Sequence, residues 1–449
     1  MNLAKLALHV PTVLLPKNGI DLQRWAVIAC DQYTSEPEYW DDVETLTAGF
    51  PSTLKLIFPE VFLDAPNSEQ RIASINETMD RYLADGTLVA QDPGFILLDR
   101  KTSHTPSRKG LIVALDLEQY DYRPGSKTLI RATEGTIVDR LPPRIRVREN
   151  ASIELPHIMV LIDDPDQTVI EPLCAEPLPE VYDFELMKNS GRLHGWRVSE
   201  PRLIAQIVQA LEKLADPQRC KERYGVLGEQ GDNVMLYAMG DGNHSFATAK
   251  AIWEQRKQTA GGSRDVMEDP ARYALVELVN LHDPGLEFEA IHRVLFNVDE
   301  TDFLAHAERF FHQDRSPFRF EWLESLAAAK AAAARAESGQ HAIPVVGGRR
   351  HGLMVVDKPK LTLVVATLQA FLDRYLSEHA EARIDYIHGE SAVTRLGGGD
   401  GALGFYLPAI SKHALFKTIV LDEALPRKTF SMGEADEKRF YLEARKIKP

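Results

Sequence analysis

One short turn, GDGNHS, carries several side chains that could do chemistry. Asp241 supplies a carboxylate and His244 an imidazole, so either could move a proton or hold a metal ion. Gly242 allows the backbone to approach a ligand closely, and the amides that follow it could face a phosphate. We therefore predict Asp241 and His244 as catalytic residues, and Gly242, Asn243 and Ser245 as phosphate contacts.

The flanking segments indicate how this turn is held. Residues 234–239 are an apolar run of strand length, and apolar residues recur at helical spacing from Phe246 to Trp253. We predict strand, turn and helix in that order, which places the turn at a helix N-terminus where anions bind. The same pattern suits an ordinary turn in which Asp241 or Ser245 caps the helix and His244 packs inside.

Arginines are concentrated in one segment of an otherwise acidic chain. Residues 131–148 contain five of them, at positions 131, 140, 144, 146 and 148. The last three alternate with Ile145 and Val147, so on a strand they would share one face and could bind phosphate or carboxylate groups. We predict Arg131, Arg144 and Arg148 as nucleotide contacts. The alternative is a ladder of surface ion pairs with nearby acids, namely Glu134, Asp139, Glu149 and Glu154.

Further candidates flank other apolar runs. PHIMVLIDDP predicts a buried strand that ends in Asp163 and Asp164, two acids that suit a magnesium site or, equally, a turn. Lys428 and Thr429, beside small hydroxyls in the C-terminal segment, are a second candidate anion contact. The candidates for the substrate side are the polar residues Asp31, Gln32, Glu134, His157 and His388.

Composition bounds the class of protein. The chain has 449 residues, 44% of them hydrophobic, and a formal net charge of −14, which disfavours binding to nucleic acid or to an anionic membrane. Three separated cysteines and the absence of a long apolar run favour a soluble, cytoplasmic protein. We expect an α+β fold of mixed sheets with flanking helices in three regions: 1–128, a central core over 129–300, and 301–449, a smaller α+β module that returns motifs to the site.

Eight segments in one order resemble the domain-of-unknown-function family 1015. They are CDQYTSEPEYW, IRATEGTI, PPRIRVR, ELPHIMVLIDDP, YDFELM, GDGNHSFATAKA, IDYIHG and LPRKTFSMGEA. Many family members carry Asp-Gly-His-His-Arg at the central turn, which is similar to the phosphate-handling turn of the ParB/sulfiredoxin superfamily. That superfamily includes nucleotide hydrolases and small-molecule serine kinases, so the resemblance implies a related core. Ser245 stands where the fuller motif has arginine, and Arg144 or Arg148 would then supply the missing cation.

These features favour a nucleotide-dependent phosphotransferase that acts on a hydroxyl- or carboxyl-bearing metabolite, with Mg²⁺ and ATP or ADP. Asp241 would bind the metal or deprotonate the acceptor, and the arginines would neutralise the transferred charge. Two alternatives stay open. One is a regulatory protein that binds a nucleotide or metabolite without turnover, and the other is a metal-dependent phosphoester hydrolase built on Asp163, Asp164, Asp241 and His244.

Overall fold

The computed structural model describes residues 2–34, 36–63, 65–123, 125–135, 141–225, 234–261, 264–422 and 424–449. It is a mixed α+β structure, as the sequence predicts. The chain forms two compact units: unit 1 comprises residues 1–287 and 433–449, and unit 2 comprises residues 288–432. None of the described helices combines the length and the apolar character that crossing a membrane requires.

The described strands are, in chain order, β1 (Leu8–His9), β2 (Leu14–Pro16), β3 (Val27–Ile28), β4 (Leu88–Ala90), β5 (Phe95–Lys101), β6 (Arg108–Asp116), β7 (Ile130–Arg131), β8 (Ile153–Glu154), β9 (Met159–Ile162), β10 (Glu180–Glu185), β11 (Arg192–Val198), β12 (Tyr237–Asp241), β13 (Tyr273–Asn280), β14 (Phe288–Phe296), β15 (Phe318–Leu323), β16 (Gln340–Gly347), β17 (Arg350–Asp357), β18 (Arg383–His388), β19 (Ala402–Phe405), β20 (Phe430–Met432), β21 (Phe440–Tyr441) and β22 (Arg445–Lys446).

The described α-helices are α1 (Leu22–Trp25), α2 (Pro37–Thr47), α3 (Ser68–Ala84), α4 (Leu141–Arg148), α5 (Pro201–Leu214), α6 (Pro217–Tyr224), α7 (Asn243–Thr259), α8 (Glu300–Gln313), α9 (Leu326–Ala333), α10 (Val364–Glu378), α11 (Glu390–Gly397) and α12 (Lys412–Asp422).

A mixed sheet organises unit 1. Its strand order is β10-β11-β5-β6-β13-β9-β12-β7, with β1 added alongside β6. The pairs β12–β7 and β13–β9 are parallel, and the other pairs are antiparallel. The parallel pairing of β12 with β7 brings the segment after Arg131 next to the central turn.

Both faces of this sheet are buried, and each belongs to a different hydrophobic core. Along β5, Phe95 and Leu97 pack in one core, whereas Ile96 and Leu98 pack in the other. Alternate side chains point to opposite faces of a strand, so an uninterrupted apolar run is what two covered faces require. Helix α5 covers the first face with its apolar stripe, which includes Leu203 and Ile207.

The boundaries between compact units differ from the expected regions. The boundary expected at residue 128 falls inside unit 1, because β5 and β6 on one side of it share a sheet with β9, β12 and β13 on the other. Unit 2 begins at Phe288, since β14 pairs with β18, β19 and β20. The last seventeen residues return to unit 1, where β21 pairs with β3 and β22 with β8.

Unit 2 is a smaller α+β structure. Its sheet has the order β15-β17-β16-β19-β14-β18, with β20 paired to β14. The hairpin β16–β17 turns through Gly348 and Arg349, since Gly347 pairs with Arg350. Helices α8 and α10 pack on this sheet through an aromatic cluster that includes Phe303 and Phe371.

Candidate functional site

The central turn links β12 to α7 and has the predicted strand–turn–helix form. Gly242 occupies the N-cap position with φ +77°, a backbone region that favours glycine. A Cβ atom at this position would lie 3.0 Å from the Ile158 Cα atom, so the packing also selects glycine. Since glycine has no side chain, Gly242 offers no side-chain acceptor to the amides at the N-terminus of α7.

Asp241 ends β12 and is ionised at neutral pH. Its Oδ1 atom accepts the Gly242 N–H at 2.9 Å, and its Oδ2 atom lies 3.2 Å from the Lys438 Nζ atom. Burial opposes ionisation, but Lys438, His157 and the Gly242 amide together hold the pKa of Asp241 below its usual value. The side chain is 32% exposed, so this carboxylate is both charged and accessible.

Lys438 was not among the sequence candidates. It follows a short 3₁₀ helix, Ala435–Glu437, in which Glu434 and Glu437 form a reciprocal capping box. This cap fixes the chain direction just before β21, and β21 anchors the segment to β3. A lysine between acids and an arginine in ADEKRF looks like a solvated surface run, so local sequence gave no signal for it.

The imidazole that reaches the turn is that of His157. Its Nε2 atom lies 3.0 Å from the Ser245 Oγ atom, and its Nδ1 atom lies 2.6 Å from the Tyr441 hydroxyl. Tyr441 donates its hydrogen to the Cys30 Sγ atom at 3.1 Å, so His157 Nδ1–H donates to the Tyr441 oxygen. That tautomer leaves Nε2 to accept from the Ser245 hydroxyl, so one chain of hydrogen bonds joins Ser245, His157 and Tyr441.

The predicted catalytic residue His244 is placed differently from this group. It is the second residue of α7 and is partly buried, and its carbonyl accepts the Thr248 hydroxyl at 2.7 Å. Asn243, also partly buried, donates from Nδ2 to the Thr133 hydroxyl at 3.4 Å, and this contact ties the turn to the segment after β7. Glu134, next in that segment, is partly buried as well.

A cavity of about 130 Å³ opens beside Ser245 and His157. Its walls are mostly apolar, and the polar groups that reach it include Cys30, Glu60, Arg144 and Tyr441. Engineered cavities of roughly 150 Å³ bind a benzene-sized molecule. The space therefore suits a small organic group that presents a polar end to these side chains.

Glu60 is the second functional candidate that sequence reasoning missed. Arg144 Nη2 donates to its Oε2 atom at 2.6 Å, and both side chains line the cavity. Burial raises the pKa of Glu60 above its usual value, with Asp31 adding to the rise and Arg144 and His157 opposing it. A carboxyl group with a raised pKa inside a cavity is a candidate general base. The only sequence signal was an acid inside the apolar run IFPEVF.

Asp31 and Gln32, two substrate-side candidates, lie near the same cavity wall. The Asp31 Oδ2 atom is 3.9 Å from the His157 Nε2 atom, and Gln32 Nε2 donates to Asp31 Oδ1 at 3.0 Å. Both residues follow β3 and are partly exposed. The structure therefore brings Asp31, His157 and Ser245 together.

The strand predicted for the arginine run is wrong. Residues 141–148 form α4, because Pro142 and Pro143 lie in the first turn, where a helix tolerates proline. Arg144 and Arg148, four residues apart, share one side of α4 and line the cavity, whereas Arg146 is 56% exposed. Their acidic partners are Glu60, Glu69 and Glu154, of which the sequence analysis considered only Glu154. Asp139 and Arg140 lie outside the described residues.

Arg131 lies in the interior instead of at the turn's surface. Its side chain is only 5% exposed, and Nε donates to the Thr128 carbonyl at 3.0 Å. Burial lowers its pKa to about 10, although a guanidinium with that value is still charged at neutral pH. Its position on β7 supports the neighbouring strand β12.

The two acids after β9 are bound by other groups of the protein, which gives both of them a structural role. Asp163 accepts from Arg223 Nη2 at 2.7 Å and from the Tyr224 hydroxyl at 2.6 Å, and the His282 ring contacts it. Asp164 accepts the amides of Thr168 and Val169 and so closes a turn. Among the described residues, neither acid belongs to a group of side chains spaced to hold a metal ion.

Three remaining candidates belong to unit 2. His388 ends β18 and is exposed. Lys428, also exposed, has φ +56° in the turn before β20, and the Thr429 hydroxyl donates to the Pro426 carbonyl at 2.7 Å. The Thr429 contact is therefore that of a local turn within its own unit.

Comparison with solved structures finds similarity at low identity. A variant of a free serine kinase in complex with AMP has 10% identity and a TM-score of 0.39, covering 75% of this chain and 91% of that one. A conserved hypothetical protein from Pyrococcus furiosus has 12% identity and a TM-score of 0.35, covering 75% and 95%. SbnI with a C-terminal truncation, from Staphylococcus aureus, has 9% identity and a TM-score of 0.33, covering 72% and 82%. Similarity at this level carries no argument about this chain.

Comparison by sequence identifies the family. No curated protein matches the chain. The model of one family, described as "Protein of unknown function (DUF1015)", matches residues 14–375, which is more than half of the chain. The protein therefore belongs to the DUF1015 family.

Proposed function

We propose that this protein transfers a phosphoryl group from ATP or ADP to a small hydroxyl- or carboxyl-bearing metabolite. The observation that carries the proposal is the ionised Asp241–Lys438 pair at the start of α7, with Ser245 and His157 leading from that turn into a cavity. A phosphate needs a cation and oriented amides, and an acceptor needs an adjacent enclosed space. The similarity of the turn to that of the ParB/sulfiredoxin superfamily belongs to the same proposal.

The phosphate side of the site is assigned to α7 and Lys438. The amides at the start of a seventeen-residue helix carry partial positive charge, and Lys438 adds a full charge. Asp241 offers oxygen to a magnesium ion that enters with the nucleotide, because Mg²⁺ usually takes one or two protein carboxylates and keeps phosphate and water as its other ligands. The magnesium ion would neutralise charge on the transferred group.

The acceptor side is assigned to the cavity. The acceptor oxygen attacks the terminal phosphorus atom, the bond from that phosphorus to the bridging oxygen breaks, and the shortened nucleotide leaves. Glu60, as a carboxylate, takes the proton of an acceptor hydroxyl, and its raised pKa makes it a better base than an exposed glutamate. Arg144 holds Glu60 in place, and Ser245 and His157 orient the acceptor through their hydrogen-bonding groups.

The test is phosphorus NMR on the full chain with Mg²⁺, ATP or ADP, and pools of small hydroxy and carboxylic acids. We expect a new phosphate-ester or acyl-phosphate signal together with the shortened nucleotide, and loss of both in Glu60→Gln. Nucleotide binding without any product would favour the regulatory alternative. Release of inorganic phosphate from simple esters would favour the hydrolase, which the protein partners of Asp163 and Asp164 already disfavour.

A further inference from the structure

A second cluster of reactive side chains lies in unit 2, between helices α8 and α10. Asp302 and His306 lie one turn apart on α8, and Glu378 and His379 lie at the C-terminal end of α10. The Asp302 Oδ2 atom is 3.0 Å from the His379 Nε2 atom, and the Glu378 Oε2 atom is 3.7 Å from the His306 Nε2 atom. Asp302, His306 and His379 can each offer one ligand atom so that the three atoms lie within 4.8 Å of one another.

Hydrogen bonds to the backbone fix the tautomer of both neutral imidazoles. His306 Nδ1 lies 2.9 Å from the Asp302 carbonyl, and His379 Nδ1 lies 2.9 Å from the Tyr375 carbonyl. A carbonyl oxygen can only accept, so each Nδ1 atom carries the hydrogen. Each Nε2 atom of a neutral ring is then a lone pair that faces a carboxylate. Glu378 is paired with Arg374 at 2.5 Å. The Asp302 carboxylate, which accepts from the Tyr375 hydroxyl at 3.3 Å, has no cation beside it among the described residues other than the two rings. A cation or a further proton would therefore stabilise the contact between Asp302 and His379.

The surroundings hold the rings in this orientation. Tyr375 stacks on His379 with centroids 3.9 Å apart and meets His306 edge-on at 5.5 Å. An Nδ1–H to carbonyl bond that leaves Nε2 for the metal is the usual second-shell support of a metal-binding histidine. The imidazoles therefore need no new backbone contact to act as ligands.

We propose that Asp302, His306 and His379 bind one divalent transition-metal ion of the zinc class, with water as the remaining ligand. Two neutral imidazoles and one carboxylate give three protein ligands, the number found in zinc sites that keep a water molecule in the fourth position, whereas Glu378 is already paired with Arg374 at 2.5 Å. Ligand atoms on a shared zinc ion lie about 3.4 Å apart, given bonds of about 2.0–2.1 Å, so three atoms that lie within 4.8 Å of one another can reach one ion by side-chain movements of about an ångström. Partial exposure, 17% for His379 and 42% for Asp302, gives an ion access from solvent.

Bound zinc would link α8 to α10 and stabilise unit 2. The competing state has both rings protonated and paired with the carboxylates, which requires no metal. Unit 1 contains a similar cluster for comparison. It consists of Glu180, Asp183 and His194, whose ligand atoms also lie within 4.8 Å of one another. There Arg192 Nε already donates to Asp183 at 2.6 Å and a second Arg192 nitrogen contacts the other carboxylate oxygen, so a cation occupies that cluster.

The test is titration of the full chain with Zn²⁺ against a chelating indicator, followed by dialysis and elemental analysis. We expect about one zinc ion per chain, and a dissociation constant that rises about 100-fold or more in His306→Ala and in His379→Ala. His312→Ala, on an exposed residue of the same helix, and His194→Ala are the matched controls and should retain the ion.

Two further measurements guard against variants that fail to fold. Asp302→Asn keeps the side-chain volume and should weaken zinc binding without changing the circular dichroism spectrum. Cobalt-loaded wild-type protein should show the intense d–d absorption of a tetrahedral site. Wild-type protein that retains no zinc, or zinc retained equally by folded His306→Ala and His379→Ala, would overturn the proposal and leave the protonated ion pairs.

Discussion

Two charged regions of unit 1 differ in whether their partners are already in place. In the buried network, Glu277 accepts from Arg108 at 3.2 Å and from Arg439 at 2.7 Å, and each of these side chains is at most 8% exposed. At the start of α7, Asp241 pairs with Lys438 at 3.2 Å and is 32% exposed. Both regions pair an acid with a basic residue, so residue type does not distinguish them. They differ in how deeply the carboxylate is buried and in how many charged protein groups pair with its oxygens.

The comparison teaches where charge serves the fold and where it serves a ligand. Glu154 lies at the junction of the Arg148 and Arg445 side chains and also accepts the Leu275 amide, so its oxygens are committed to the protein. A buried carboxylate with such partners is costly to replace and has no capacity left for a substrate. The α7 turn instead combines an accessible ionised acid with a neighbouring cavity.

The largest expected effect is on turnover. Asp241→Asn keeps the side-chain shape but removes the charge that pairs with Lys438, so phosphoryl transfer should fall by about 100-fold or more. Product formation measured by phosphorus NMR checks this, with Asp400→Asn, on an exposed acid of unit 2, as the control. Unchanged turnover in a folded Asp241→Asn protein would remove the turn from the mechanism.

The next effect is on stability, in the buried network. Glu277→Gln removes a charge that Arg108 and Arg439 both contact, which leaves the buried Arg108 guanidinium without this counterion and Arg439 with Glu443 as its carboxylate partner. We expect the free energy of unfolding to fall by about 3–5 kcal/mol, measured by urea denaturation. If the variant is as stable as the wild type, the network is not the stabilising element that the comparison makes it.

The free energy of unfolding should also depend on pH, because His9 is partly buried in unit 1. His9 stacks on Tyr273, and burial, followed by the nearby Arg445, lowers its pKa to about 4. The unfolded chain therefore takes up a proton near pH 6.5 that the folded chain refuses until about pH 4. Stability should fall as the pH drops through that window, and His9→Gln should flatten the fall; an equal slope in both proteins would contradict the assignment.

The smallest effect belongs to the exposed arginine of α4. Arg146 pairs with Glu69 at 3.2 Å, and the two side chains are 56% and 71% exposed. Glu69→Gln should change the free energy of unfolding by less than about 1 kcal/mol, because water screens such pairs. Glu69→Gln and Glu277→Gln make the same chemical change at an exposed and at a buried site. Equal losses of unfolding free energy in the two variants would refute the distinction between exposed and buried ion pairs.

Local pattern was sufficient to predict most elements near the site. β12 and α7 follow from an apolar run, a glycine turn and helical spacing, and the antiparallel pair β5–β6 follows from two apolar runs with turn residues between them. The strand predicted for the arginine run was wrong because an alternating pattern of only five residues does not distinguish a strand from a helix. The two prolines in the first turn of α4 were the better signal. Helical geometry then sends Arg146 away from Arg144 and Arg148.

The composition of the site depended on contacts between distant segments. His157 and Tyr441 touch across 284 residues of sequence, and Arg144 meets Glu60 across 84. Neither separation leaves a local pattern, so Tyr441, Lys438 and Glu60 could not be chosen from the sequence. Asp241, Ser245 and Asp31 could be chosen because each lies at the end of an apolar strand or within a few residues after it, where side chains leave the sheet.

The most direct test of the central claim is calorimetric titration of Mg²⁺–ADP and Mg²⁺–ATP into wild-type protein and Lys438→Met. The account predicts one nucleotide bound per chain in the wild type and at least about tenfold weaker binding in Lys438→Met, since a charge-assisted phosphate contact is worth about 1.5–3 kcal/mol. Equal affinity in the two proteins, or no nucleotide bound by either, would contradict it.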